Sequence, residues 1–152
     1  MATVDGTLPG SDAVASMLPA SARVLLIYDG YCGICTRIAR WVQRRSAGRV
    51  AVLPNQTRGM LARTGLSRAE VDREVWAIDR AGRRGGGAAA VNRALAEMGW
   101  WRHPARLYAT PGIRQAEEAI YAWVARNRGR LARWGITPGC AAAGADCEPE
   151  DA

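Results

Sequence analysis

Lysine and phenylalanine are absent from this sequence, and histidine occurs once among its 152 residues. All 21 basic side chains are therefore arginines, and with 14 acidic residues they leave a net charge of +7. A charge of this sign favours anionic partners such as nucleic acids or acidic lipids. The arginines, however, are spread over several predicted helices and form no single run, which is typical of a solvated basic surface. We therefore expect no nucleic-acid partner.

Long apolar segments are missing as well. No apolar run reaches the about 18 residues of a membrane-spanning helix, so no transmembrane segment is expected. Residues 1–21 have neither the positively charged n-region nor the apolar h-region of a secretory signal. These absences predict a cytoplasmic protein, in which thiols are kept reduced and structural disulfides are rare. A C-x-x-C pair in that compartment is more often catalytic or metal-binding than structural.

Cysteine is scarce too: the chain has four, and Cys32 and Cys35 form a C-x-x-C pair within residues 28–35 (YDGYCGIC). One interpretation is zinc, but a closed zinc site needs four ligands. The candidates for the other two are Cys140, Cys147 and His103. The two late cysteines lack the spacing of a second zinc half-site, and the histidine has no recognisable partner. We therefore expect no metal site. Cys140 and Cys147 could pair or exchange with the C-x-x-C pair, but in a reducing compartment we expect unpaired thiols.

The surrounding residues favour a redox function over a pair of buried core cysteines. Residues 23–28 form a continuous apolar run that predicts a strand buried on both faces, and the glycines that follow indicate an exposed turn. Apolar residues then recur at helical spacing, which predicts a helix from Gly33 to about Arg45. The free N–H groups and dipole at its N-terminus lower the pKa of Cys32. Cys35, one turn inside, would face Cys32 at disulfide distance and resolve a mixed disulfide.

The order of predicted elements defines the fold class. Further strands are predicted at residues 49–53, 75–78 and, after a hairpin turn, around 83–84, and further helices at residues 88–98 and from 110 onward. Strands joined through a helix pair in parallel and hairpins add antiparallel pairs, so we expect a mixed four-stranded sheet flanked by helices. This is the order of an α/β thioredoxin-like fold with an extra C-terminal helix. The predicted buried stripe of that helix is Ile113, Ala116, Ile120, Trp123 and Val124.

The chain is predicted to contain one domain with loose ends. Residues 21–137 are long enough to bury a core and include every predicted strand and helix. Residues 1–20 are small and polar with two prolines, and predict a flexible N-terminal arm. Residues 138–152 turn small and acidic, and predict a flexible tail.

The string Tyr28-Asp29-Gly30-x-Cys32-x-x-Cys35, together with residues 75–82, 87–91 and 121–128 and the late Cys140, resembles the DCC family of thiol-disulfide oxidoreductases. The resemblance covers roughly residues 23–140. It implies a thioredoxin-like fold and a redox activity. It also implies that the site residues are Asp29, Cys32 and Cys35.

The resulting hypothesis is thiol-disulfide exchange in which Cys32 attacks and Cys35 resolves. The partner would be a protein or small-molecule thiol or disulfide, and we expect no cofactor. Two alternatives are a non-catalytic interaction domain that uses the arginine-rich surface and a redox sensor that uses the pair as a switch. Asp29 has two open roles, as proton acceptor for Cys35 or as the Asp of an Asp-Gly turn. Arg126 and Arg128 could bind an anionic partner or cap helix carbonyls near a C-terminus, and capping and solvation are the favoured interpretation.

Overall fold

The computed structural model describes residues 11–148, which form a mixed four-stranded sheet flanked by helices. Its strands are β1 (Val24–Tyr28), β2 (Val50–Pro54), β3 (Trp76–Asp79) and β4 (Arg84–Gly86). Its helices are α1 (Ser11–Met17), α2 (Gly33–Arg45), α3 (Met60–Thr64), α4 (Arg68–Arg73), α5 (Ala88–Ala96), α6 (Arg102–Leu107), α7 (Ile113–Arg126) and α8 (Arg128–Leu131). Within this part of the chain, no helix combines the length and apolar character that crossing a membrane requires.

The sheet has the order β2-β1-β3-β4. β1 and β2 run parallel, with Val24 opposite Val50, because α2 connects them. β3 lies antiparallel to β1, and the hairpin partner β4 lies antiparallel to β3. The predicted four-stranded α/β architecture is confirmed, and it is consistent with a thioredoxin-like fold.

The central strand β1 divides the core into two apolar clusters. All five of its residues are buried, and successive side chains point to opposite faces of the sheet. Leu25 and Ile27 pack with α1, α3 and α4, whereas Val24 and Leu26 pack with α2 and α5. The predicted burial of this strand on both faces is therefore confirmed.

Helix α1 corrects the prediction of a flexible arm over residues 1–20. Residues 11–17 are helical, and Val14 and Leu18 are buried in the cluster that contains Leu25 and Met60. An isolated helix of this length is not stable in water, so its packing against the sheet is what holds it. Residues 1–10 of the predicted arm lie outside the described residues.

Helix α7 packs only part of the predicted stripe inward: Val124 lines the apolar cavity beside the sheet, whereas other members of the stripe are exposed. It begins after Gly112, whose φ of 89° lies outside the helical region, rather than at the preceding Thr-Pro pair. Ile120 and Trp123 of the predicted buried stripe are 63% and 55% exposed. Tyr121 faces inward instead, and its hydroxyl accepts a hydrogen bond from the Val75 N–H at 2.8 Å. A polar contact with the residue that directly precedes β3 thus contributes to the orientation of this helix.

The C-terminal segment corrects the prediction of a flexible tail for residues 138–148. The Cys140 N–H donates to the Gly30 carbonyl at 2.9 Å, and the Glu148 N–H donates to the Gln56 carbonyl at 2.7 Å. Cys147 forms an antiparallel bridge with Thr57. Cys140 and Cys147 are joined in a disulfide, so the expectation of unpaired thiols is also wrong. Residues 149–152 lie outside the described residues.

Candidate active site

Cys32 and Cys35 lie where β1 leads into α2, at the junction that the sequence predicts. Cys32 is the N-cap residue of α2, and its Sγ accepts a hydrogen bond from the Cys35 N–H at 3.2 Å. The two residues form a disulfide, with Cα atoms 5.2 Å apart. The fully buried Thr36 donates to the Cys32 carbonyl from its backbone nitrogen at 2.9 Å and from its hydroxyl at 3.0 Å. The first sulfur therefore lies at the positive end of the helix, and the second lies one turn further along.

The glycines around the pair admit the C-terminal segment rather than exposing the turn to solvent. Gly30 is buried, and a Cβ at this position would overlap the Sγ of Cys140 and lie 2.6 Å from the Cβ of Pro54. A Cβ at Gly33 would overlap the carbonyl oxygen of Ile136. Glycine is required at both positions because another part of the chain approaches the backbone closely.

Asp29 is the centre of a polar network that supports the turn. One carboxylate oxygen accepts hydrogen bonds from the Tyr31 N–H and from the side-chain amide of Gln56, both at 3.0 Å. The other oxygen pairs with the Arg128 guanidinium at 3.2 Å. Gln56 in turn accepts the Gly30 N–H at 2.9 Å. The bond to Tyr31 is an Asx-turn contact, which is one of the two roles that the sequence leaves open for Asp29.

Two members of this network were missed by sequence reasoning. Gln56 is 27 residues from Asp29 in the chain, and no local pattern marks it. Arg128 is 99 residues away, within the segment that resembles the DCC family, and that resemblance is the one signal that could have found it. The capping predicted for Arg128 is present, since it also donates to the Ala125 carbonyl at 3.2 Å.

An apolar cavity of about 120 Å³ opens beside the pair, between β1, α2, α5 and α7. Cys35 is on its wall, and Asp29 and Arg128 are at its charged rim. Its apolar lining includes Leu26, Ile34, Ala39, Val42, Val91 and Val124. Sites for drug-sized ligands are roughly 300–1,000 Å³, so this space is suited to a single apolar group.

The part of the chain that carries the strand-to-helix C-x-x-C pair matches a known protein family. A protein-family model described as DCC1-like thiol-disulfide oxidoreductase matches residues 26–134. The chain belongs to this family. The resemblance stated from the sequence is thereby confirmed. Searches of curated proteins and of solved structures found no match.

The remaining candidate residues of this DCC1-like chain are divided between two places. Cys140 and Cys147 lie beyond the family match but beside the site, since Cys140 packs on Gly30. His103 lies in α6 and is exposed. In the described part of the chain, residues 11–148, no three His, Cys, Asp or Glu side chains are grouped as metal ligands would be.

Two tyrosines near the site are held in the neutral form. Burial raises the pKa of Tyr28, and the nearby Arg40 opposes this shift in part. Burial likewise raises the pKa of Tyr121, which also lines the cavity. Both hydroxyls therefore act as uncharged hydrogen-bonding groups at physiological pH.

Proposed function

We propose that this DCC1-like protein catalyses thiol-disulfide exchange, with Cys32 as the attacking thiol and Cys35 as the resolving thiol. The observation that supports these roles is the difference between the surroundings of the two sulfurs. The Sγ of Cys32 accepts an N–H group at the start of α2, an environment that favours a thiolate. Cys35 is on the wall of an apolar cavity, and such surroundings favour the protonated thiol.

The proposed exchange takes place in two balanced steps. The Cys32 thiolate attacks one sulfur of a substrate disulfide, forms a mixed disulfide, and releases the other substrate sulfur as a thiolate that takes up a proton. Cys35 then loses its proton and attacks Cys32, which forms the Cys32–Cys35 disulfide and releases the second substrate thiol. Two electrons pass from the pair to the substrate. In the reverse direction, the oxidised Cys32–Cys35 pair oxidises two substrate thiols to a disulfide by the same steps.

Asp29 is proposed as the group that receives the proton of Cys35 in the second step. The two residues line the same cavity, so the proton need not leave it. Arg128 and Gln56 hold the carboxylate in place from opposite sides of the network. The cavity beside Cys35 would take one apolar group of the substrate. A cytoplasmic location is part of the same proposal.

The test is a trapping experiment with the single cysteine variants. Cys35→Ser, reduced and mixed with insulin as the disulfide substrate, should accumulate a covalent adduct through Cys32, detected on a non-reducing gel and located by peptide mass. Cys32→Ser should form no adduct and reduce no insulin. Adducts formed through Cys35 in Cys32→Ser, or full turnover by both variants, would refute the assigned roles. If the protein is instead a non-catalytic interaction domain, replacing both Cys32 and Cys35 by Ser would leave its binding of a partner unchanged.

A further inference from the structure

The second disulfide is docked on the turn that carries the first. Cys140 donates its N–H to the Gly30 carbonyl at 2.9 Å, and its Sγ occupies the space where Gly30 would otherwise carry a Cβ. The family match ends at residue 134, so nothing in that match assigns a role to Cys140 or Cys147. We propose that Cys140 and Cys147 form a second redox pair, which exchanges disulfides with Cys32 and Cys35 through Cys140. This inference rests on the proposed function.

A second contact ties the same segment to Cys32 itself. The Gly139 N–H donates to the hydroxyl of Thr36 at 3.0 Å, and that hydroxyl donates to the Cys32 carbonyl at 3.0 Å. Cys140 is thus held between two contacts to the active-site turn, one at Gly30 and one through Thr36. Gly30 and Cys32 are two residues apart, so their Cα atoms are at most about 7–8 Å apart. The Sγ of Cys140 is therefore stored close to the thiol that would attack it.

The two cysteines of the second disulfide are both half-buried but have different surroundings. Cys140 is packed between Gly30 and Gln56, with its Sγ 3.7 Å from the side-chain oxygen of Gln56. Cys147 forms the antiparallel bridge with Thr57, and the four residues before it, 143–146, are exposed. This exposed loop can rearrange as Cys140 moves onto Cys32. Cys147 is half-buried at the end of this loop, and it is the sulfur that an external thiol would attack to reduce the second pair again.

The exchange is balanced within the chain. The Cys32 thiolate attacks Cys140, so that a Cys32–Cys140 bond forms, the Cys140–Cys147 bond breaks, and Cys147 leaves as a thiolate that takes up a proton. Cys35 then loses its proton and attacks Cys32, and Cys140 leaves as the thiolate. Two electrons move from the first pair to the second, and no other reactant is consumed. In the opposite direction, a reduced Cys140–Cys147 pair passes two electrons to the Cys32–Cys35 pair after the Cys32–Cys35 pair has reduced a substrate.

The first test asks whether Cys32 and Cys140 can bond. The double variant Cys35→Ser/Cys147→Ser retains only these two cysteines, and after reduction and oxidation with diamide it should form a Cys32–Cys140 disulfide within the monomer, located by peptide mass. The matched control Cys32→Ser/Cys147→Ser retains Cys35 and Cys140 and should form none. Absence of the bond in the first variant, or equal yields in both, would overturn the proposal.

A second test measures the unmodified chain, so its main result does not depend on the folding of a variant, and two variants serve as comparisons. The fully reduced protein, freed of reductant, should reduce two equivalents of insulin disulfide per chain, whereas Cys140→Ser/Cys147→Ser should reduce one. In fully reduced Cys32→Ser mixed with insulin, Cys140 and Cys147 should stay reduced, because the thiol that connects them to the substrate is missing. A stoichiometry of one for the unmodified chain would refute the relay and leave the proposed function intact. Oxidation of the second pair in Cys32→Ser at the wild-type rate would refute transfer through Cys32.

Discussion

The replacement Gly30→Ala tests how closely the C-terminal segment packs on the active-site turn. The new Cβ would overlap the Sγ of Cys140 and lie 2.6 Å from the Cβ of Pro54 and 2.8 Å from the side-chain oxygen of Gln56. These neighbours come from two segments, the end of β2 with the turn after it and the C-terminal segment, and each is restrained: Pro54 by the sheet, Cys140 by its disulfide, and Gln56 by two hydrogen bonds. The methyl group therefore cannot be accommodated by one side-chain rotation.

The expected cost follows from these contacts. Overpacking of a closely packed site costs about 1–3 kcal/mol, and displacement of the segment would also lose the hydrogen bond from Cys140 to Gly30, worth about 1 kcal/mol. We expect the free energy of unfolding to fall by roughly 2–4 kcal/mol. For a chain of this length that is a decrease in Tm of roughly 4–16 °C. Thermal unfolding of the oxidised protein, followed by far-ultraviolet circular dichroism, measures this change.

Gly129→Ala is the matched control for that measurement. Gly129 lies in α8, and a Cβ there has no neighbour within 4 Å. Alanine is favoured over glycine inside a helix, so this variant should be unchanged or more stable by up to about 1 kcal/mol. If the Tm of Gly30→Ala stays within about 2 °C of both wild type and Gly129→Ala, the C-terminal segment does not pack on the turn in solution, and the reasoning fails.

Three further predictions concern residues that line the cavity. Tyr121→Phe removes the acceptor of the Val75 N–H and should lower the unfolding free energy by about 1–3 kcal/mol in urea titrations at pH 8. Burial raises the pKa of Tyr121, so the stability that its neutral hydroxyl contributes is complete below the pKa of an unfolded tyrosine and is lost as pH rises through the folded pKa. The difference in unfolding free energy between wild type and Tyr121→Phe should therefore be smaller at pH 11 than at pH 8. A difference that is the same at both pH values would contradict this. Asp29→Asn should slow resolution of the mixed disulfide on the order of 10²-fold, seen as adduct accumulation in quenched-flow samples, if the carboxylate accepts the proton of Cys35. Arg128→Lys keeps a positive charge beside Asp29 and should retain much of the rate at which the mixed disulfide is resolved, whereas Arg128→Gln should not. Equal resolution rates for the two variants would show that the pairing of Arg128 with Asp29 has no role in this step.

Local patterns in the sequence predicted the strand-to-helix junction that carries the C-x-x-C pair. The apolar run at residues 23–28 predicted a strand, and β1 is Val24–Tyr28. The helical spacing after the C-x-x-C pair predicted a helix over residues 33–45, and α2 is Gly33–Arg45. Ser67 and Glu70 have the S-x-x-E spacing of a capping box, and both hydrogen bonds of that box are present at the start of α4. Such features rest on contacts between residues a few positions apart, so the sequence displays them directly.

Only the tertiary structure decided what surrounds that junction. Asp29 contacts Gln56 and Arg128, which are 27 and 99 residues away in the chain. Cys140 contacts Gly30, from which it is separated by most of the domain. Each of these contacts depends on where the sheet and the C-terminal segment place the backbone, and a single side chain at such a distance has no periodicity to mark it. The face that α7 buries was settled in the same way, since the apolar spacing pointed to Ile120 and Trp123, and the structure turns Tyr121 inward instead. Amphipathic spacing reports which side chains are apolar, whereas the face that is buried depends on which partner surface is within reach.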